Sequence, residues 1–157
     1  AVCVVWIVFM GHSTFMGGFQ FKHDGLLFAP EVEKDPHFLE GHFYLGNHFF
    51  SQNQIKLADE AYAYSLHTSP TVIAYSERQS ALYNRVLIAT KAKDHKKVVT
   101  LVQGEEHASP QTLLLLANAL HYLHKDEEAL HVLEKAKPIL QSEERKKAEM
   151  LIDLIKR

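Results

Sequence analysis

One cysteine, Cys3, is all the chain has, so no intramolecular disulfide can brace it, and that count leaves the compartment open. Basic residues are not in excess either: seventeen Lys and Arg stand against nineteen Asp and Glu, a formal net charge of -2. They gather into no stripe that would follow a phosphate backbone, so nucleic acid is not an expected partner. The usual signatures of catalysis are missing as well. There is no Gly-rich phosphate loop, no GxSxG elbow, no HExxH, and no Cys-His pair outside the apolar front end. Ser, Asp and Glu are scattered where their ordinary role is solvation or helix capping. The chain is read as not an enzyme, without a cofactor.

Charge is also absent from the opening "AVCVVWIVFMGHSTFMGGFQF", apart from what His12 can take up, until Lys22. A helix of that length, at about 1.5 Å per residue, reaches roughly 30 Å and is long enough to cross a bilayer. Residues 1–21 are therefore expected to be a hydrophobic transmembrane anchor, although "GHST" and Gly17-Gly18 weaken its second half. A buried β-branched strand, an apolar arm lying in a groove, and a trimmed signal peptide are the alternatives. With no basic flank ahead of the run, its orientation is not set. Residues 22–35 follow with Gly25, Pro30 and charges of both signs, and read as a linker.

What the chain does have, from residue 36 to 157, is helical periodicity on a 46% hydrophobic background, enough for one core. Three Xaa-Pro pairs look like helix starts: Asp35-Pro36, Ser69-Pro70 and Ser109-Pro110. Each is followed by a second helix after a polar break, at 51–54, 91–95 and 124–128. Ser142, with Glu143 and Glu144 in the first turn, opens a last helix. That helix carries Ala148, Leu151, Ile152 and Ile155 on one face, and Glu144, Arg145, Lys147 and Lys156 on the other, as a terminal cap should.

The stretch "YLGNHFFSQNQIKLADEAYAYSLHTSP" and the later "LLANALHYLHKDEEALHVLEKAKPILQ" are one pattern written twice. Gly46, Phe49, Ala58, Tyr62 and Ser65 correspond to Ala117, Leu120, Ala129, Leu133 and Ala136, with Pro70 answered by Gln141. Small residues let the two helices of a unit approach, and large ones fill the space between them. The pattern resembles the tetratricopeptide repeat, a helix-turn-helix unit of about 34 residues. The resemblance covers roughly residues 36–156, with two good units and a degenerate middle one. There Val86 replaces the small residue, and the spacing to Val98 and Val102 calls for a longer or kinked first helix. It implies an all-α solenoid of three helix-turn-helix units with a capping helix, preceded by the hydrophobic helix.

The same resemblance implies a groove for a protein partner, as a helix or an extended peptide. Its expected lining is Phe43, Asn47, Phe50, Tyr75, Arg78, Leu82, Asn118 and Tyr122, aromatics interleaved with amides and a guanidinium. Some members of that family clamp a terminal carboxylate with Lys and Asn. Asn47 sits at a clamp-like place, but Phe43 stands for the lysine and Glu77 for the second asparagine, which argues against a clamp here. The clusters His37/Glu40/His42 and His121/His124 lack a third ligand at a recognised spacing, so no metal is expected. The reading is a membrane-anchored interaction scaffold or assembly subunit. A soluble adaptor or co-chaperone, and an accessory subunit of a large membrane complex, are the alternatives.

Overall fold

The computed structural model describes residues 24–67, 75–105 and 108–156. The expected anchor at 1–21 and the Ser69-Pro70 cap lie outside the described residues. Among the described residues every regular element is helical, eight α-helices and one short 3₁₀ turn. They divide into two compact units, one formed by residues 24–67 and the other by the described residues from 75 to 156.

In the first unit, α1 (Asp24–Lys34), α2 (Leu39–Ser51) and α3 (Ile55–Ser65) pack in succession. The segment expected to be a linker is thus largely helix, and Pro30 lies inside it. Proline there removes a helix hydrogen bond and usually costs about 3 kcal/mol. Packing onto α2 offsets that cost through three antiparallel contacts. The His48 ring lies over Gly25, the Phe28 ring stacks on Tyr44 at 4.6 Å and 10°, and Val32 reaches the backbone at Gly41. The start of α2 differs from expectation too: Asp35 and Pro36 stand before it, and Phe38 occupies the cap position without a side-chain bond. The Asp35 carboxylate instead accepts the His37 N–H at 2.9 Å, a local turn that competes with helix initiation.

Helices α2 and α3 close on each other around Leu39, Phe43, Leu45, Ala58, Ala61, Tyr62 and Ser65, all buried. What Gly46 makes room for is the Tyr62 ring: a Cβ at Gly46 would meet two ring carbons at 2.6 Å. Tyr62 is fully buried, and its hydroxyl donates to Asn47 Oδ1 at 2.8 Å.

The second unit comprises α4 (Tyr75–Lys91), α5 (His95–Val102), α6 (Pro110–Tyr122), α7 (Asp126–Ala136) and α8 (Ser142–Ile155). Helix α6 packs on α4, α5, α7 and α8. At 17 residues α4 is longer than α2 or α6, at 13 each, as the degenerate middle pattern requires. Val86 at its small-residue position is fully buried. Asp94 caps α5 by accepting from Lys97 N–H, and Ser109 caps α6 from Thr112 N–H with Pro110 at the first turn, the start expected there. Leu113, Ala117, Leu133, Ala136, Leu140 and Ala148 form a contiguous core, with Leu151, Ile152 and Ile155 of α8 packed on it. A large aliphatic side chain buried as fully as Leu133 contributes about 1.5–3 kcal/mol.

The three turns α2–α3, α4–α5 and α6–α7 have one geometry. Asn53, Lys93 and His124 sit in the left-handed region at φ 58, 57 and 58°. At each, the following N–H reaches back to Phe49, Ala89 or Leu120, and the residue's own N–H to Phe50, Thr90 or His121. This is the Schellman closure, which satisfies helix-end carbonyls and reverses the chain in three residues. No glycine is used at any of the three.

Candidate functional site

The residues expected to line a groove fall into both units. In the first, Phe43 is only 7% exposed, set edge-on to Tyr44 at 5.3 Å and near Tyr62 at 6.2 Å. Asn47 accepts the Tyr62 hydroxyl, which spends one of its oxygen's lone pairs on the fold. Phe50 is half-buried toward the end of α2.

In the second unit, Leu82 is 4% exposed and belongs to the core. Tyr75 opens α4; its side chain is outside the described residues. Arg78 pairs with Glu105 at 3.4 Å, tying the start of α4 to the segment after α5. Asn118 is half-buried on α6. Tyr122 is 61% exposed, with its ring stacked on His95 at 4.6 Å and 9°. Within this unit the residues on view are thus Arg78, Asn118 and Tyr122, while Leu82 is structural.

A different surface of this unit was not legible in advance. Val99 and Val102 of α5, Leu116 and Leu120 of α6, and Val132 of α7 line an open recess of about 550 Å³. Gln103, Lys125, Glu127, Glu128 and His131 edge it. Along α6, Asn118 and Tyr122 lie half a turn away from Leu116 and Leu120, so recess and expected face are on opposite sides of that helix. No spacing within one helix marks it, because α5, α6 and α7 each supply part of the lining and Val102 and Leu120 also belong to the buried core.

The rim charge is unequal. Lys125 donates to Glu128 at 2.8 Å, leaving Glu127 beside it, so the edge carries one more carboxylate than ammonium. Apolar floor and acidic edge together suit a segment with an aliphatic side and a basic flank.

Members of the two histidine clusters make local contacts. His42 donates through Nε2 to the Pro36 carbonyl at 3.0 Å and stacks on Tyr64 at 4.7 Å; His121 Nδ1 lies 2.7 Å from Asp126. His124 is the residue of the α6–α7 turn. Among the described residues no three His, Cys, Asp or Glu side chains converge as metal ligands would. None of the helices described there is long and apolar enough to cross a membrane. Comparison with known protein families, with curated proteins and with solved structures finds no match to this chain.

Proposed function

We propose that the chain is a docking protein of tetratricopeptide-like hairpins that holds a partner's apolar, basic-flanked segment and performs no chemistry of its own. The observation that carries this reading is the recess between α5, α6 and α7, five aliphatic side chains under an acidic edge. The shared closure at Asn53, Lys93 and His124 supports the repeat assignment, because one turn geometry recurring three times is what a repeated unit leaves behind. Residues 1–21 act as a membrane anchor in this proposal, supported by their length and lack of charge. Holding the docking unit at a bilayer raises its effective concentration toward partners there.

The test is co-purification of the full chain in mild detergent. Val99→Lys with Val132→Lys should abolish partner recovery while helical circular dichroism is retained, and Arg78→Ala with Tyr122→Ala should leave it largely intact. Recovery undiminished by the valine changes would remove the recess from the reading. Alkaline carbonate extraction tests the anchor separately, since release without detergent would exclude it.

A further inference from the structure

Helix α8 has apolar side chains on two sides. Its inner face, Ala148, Leu151, Ile152 and Ile155, packs on the core, yet on the opposite side Met150 is 72% and Leu154 55% exposed. Glu144, expected to face outward, turns to α6 and accepts from Gln111 Nε2 at 2.8 Å. Met150, Leu151, Asp153 and Leu154 border a shallow hollow of about 450 Å³.

The charges around this stripe are not equally occupied. Lys147 pairs with Glu143 at 3.0 Å and Glu149 with Lys137 at 3.3 Å. Lys146 and Asp153 are exposed and have no ion-pair partner among the described residues. They stand one turn before and one turn after Met150, seven residues apart and therefore within about 20° of each other around the helix. A basic and an acidic side chain thus bracket an exposed methionine along one edge of an apolar stripe.

That arrangement is complementary to itself. When two copies of a helix lie antiparallel about a two-fold axis, the same edge of each faces the other with its height reversed. With the axis beside Met150, Met150 meets its own copy. Lys146 of each copy then lies opposite Asp153 of the other, and on the other side of Met150 each Leu154 packs on the aliphatic stem of the facing Lys147. We infer that the outer face of α8 is a self-association surface, pairing two copies of the chain antiparallel through Met150, Leu154 and two Lys146–Asp153 ion pairs. A helix of 14 residues is about 21 Å long, so the contact belongs to the small, reversible class of interfaces.

The test uses the full chain in mild detergent with Cys3→Ser, so that the only thiol is the one introduced. Met150→Cys should give a covalent dimer with a short bis-maleimide, at a yield at least tenfold above Lys135→Cys on the exposed side of α7. Adding Lys146→Asp or Asp153→Lys should lower the Met150→Cys yield about tenfold or more, because like charges then face each other twice. Combining both reversals should restore it. A Met150→Cys yield no higher than at position 135, reversals without effect, or a double reversal that fails to recover would each overturn the antiparallel pairing.

Discussion

The hydroxyl of Tyr62 donates to Oδ1 of Asn47 at 2.8 Å while the ring of the same tyrosine covers the backbone at Gly46. One side chain of α3 thereby fixes two consecutive positions of α2. In an exposed helix Gly→Ala gains about 1 kcal/mol of propensity. At Gly46 the sign should reverse, because the added methyl meets the buried body of a ring and overpacking costs about 1–3 kcal/mol. Gly46→Ala should lower the midpoint of chemical unfolding, and Tyr62→Phe should cost about 1 kcal/mol for the lost hydrogen bond. An unchanged midpoint for Gly46→Ala would mean that the ring is free to move away.

Lys93 and His124 hold left-handed conformations that favour glycine, a strain of roughly 1–2 kcal/mol for an ordinary residue. Glycine relieves it but is more costly to order by about 0.5–1 kcal/mol. Lys93→Gly and His124→Gly should each raise stability by about 0.5–1 kcal/mol. Asn53→Gly should gain less, since asparagine tolerates this region. Parallel denaturation curves of the three variants test the ranking.

Two Xaa-Pro pairs that look alike in sequence should answer differently to alanine. Ser109→Ala removes a cap that accepts Thr112 N–H and should cost about 1 kcal/mol. Asp35→Ala removes only a turn ahead of α2 and should cost well under half of that. Equal losses in thermal unfolding would place a cap at Asp35 after all.

The hydrogen bond from Lys147 holds the Glu143 carboxyl below the ordinary glutamate range, and the same contact raises the Lys147 ammonium. A lowered carboxyl pKa favours the folded state above the ordinary glutamate value, and that contribution disappears as pH falls through the lowered pKa. Both side chains are exposed, so the effect on overall stability is slight. Side-chain carboxyl titration by NMR should show the Glu143 midpoint moving up on Lys147→Gln; an unmoved midpoint would refute the pair.

What was readable in the sequence were local signals with a single interpretation. Ser109-Pro110, the polar breaks between paired helices and the recurrence of Gly46, Ala58, Tyr62 and Ser65 as Ala117, Ala129, Leu133 and Ala136 all depend on near neighbours. Misreadings came where tertiary contact outweighed a local rule. Pro30 reads as a breaker until Phe28 finds Tyr44 and Gly25 finds His48. The turns at Lys93 and His124 fall within the polar breaks expected at 91–95 and 124–128, but their left-handed conformation has no residue signature, because Schellman bonds rather than a glycine hold it. Phe43 and Leu82 looked like lining because a large apolar residue on a first helix suits a groove or a core equally well; both are interior in their units. The recess at Val99 and Leu116 needs three helices to exist, and no single stretch announces it.

The antiparallel seam between α1 and α2 alters the leverage of whatever precedes it. A flexible tether over residues 22–35 would let the first unit swing through roughly 20 Å. With Gly25, Phe28 and Val32 seated on His48, Tyr44 and Gly41, the chain instead enters the unit at a fixed point near the end of α2. A pull applied at Asp24 is then borne by the α1–α2 seam and passes directly into the α2–α3 hairpin.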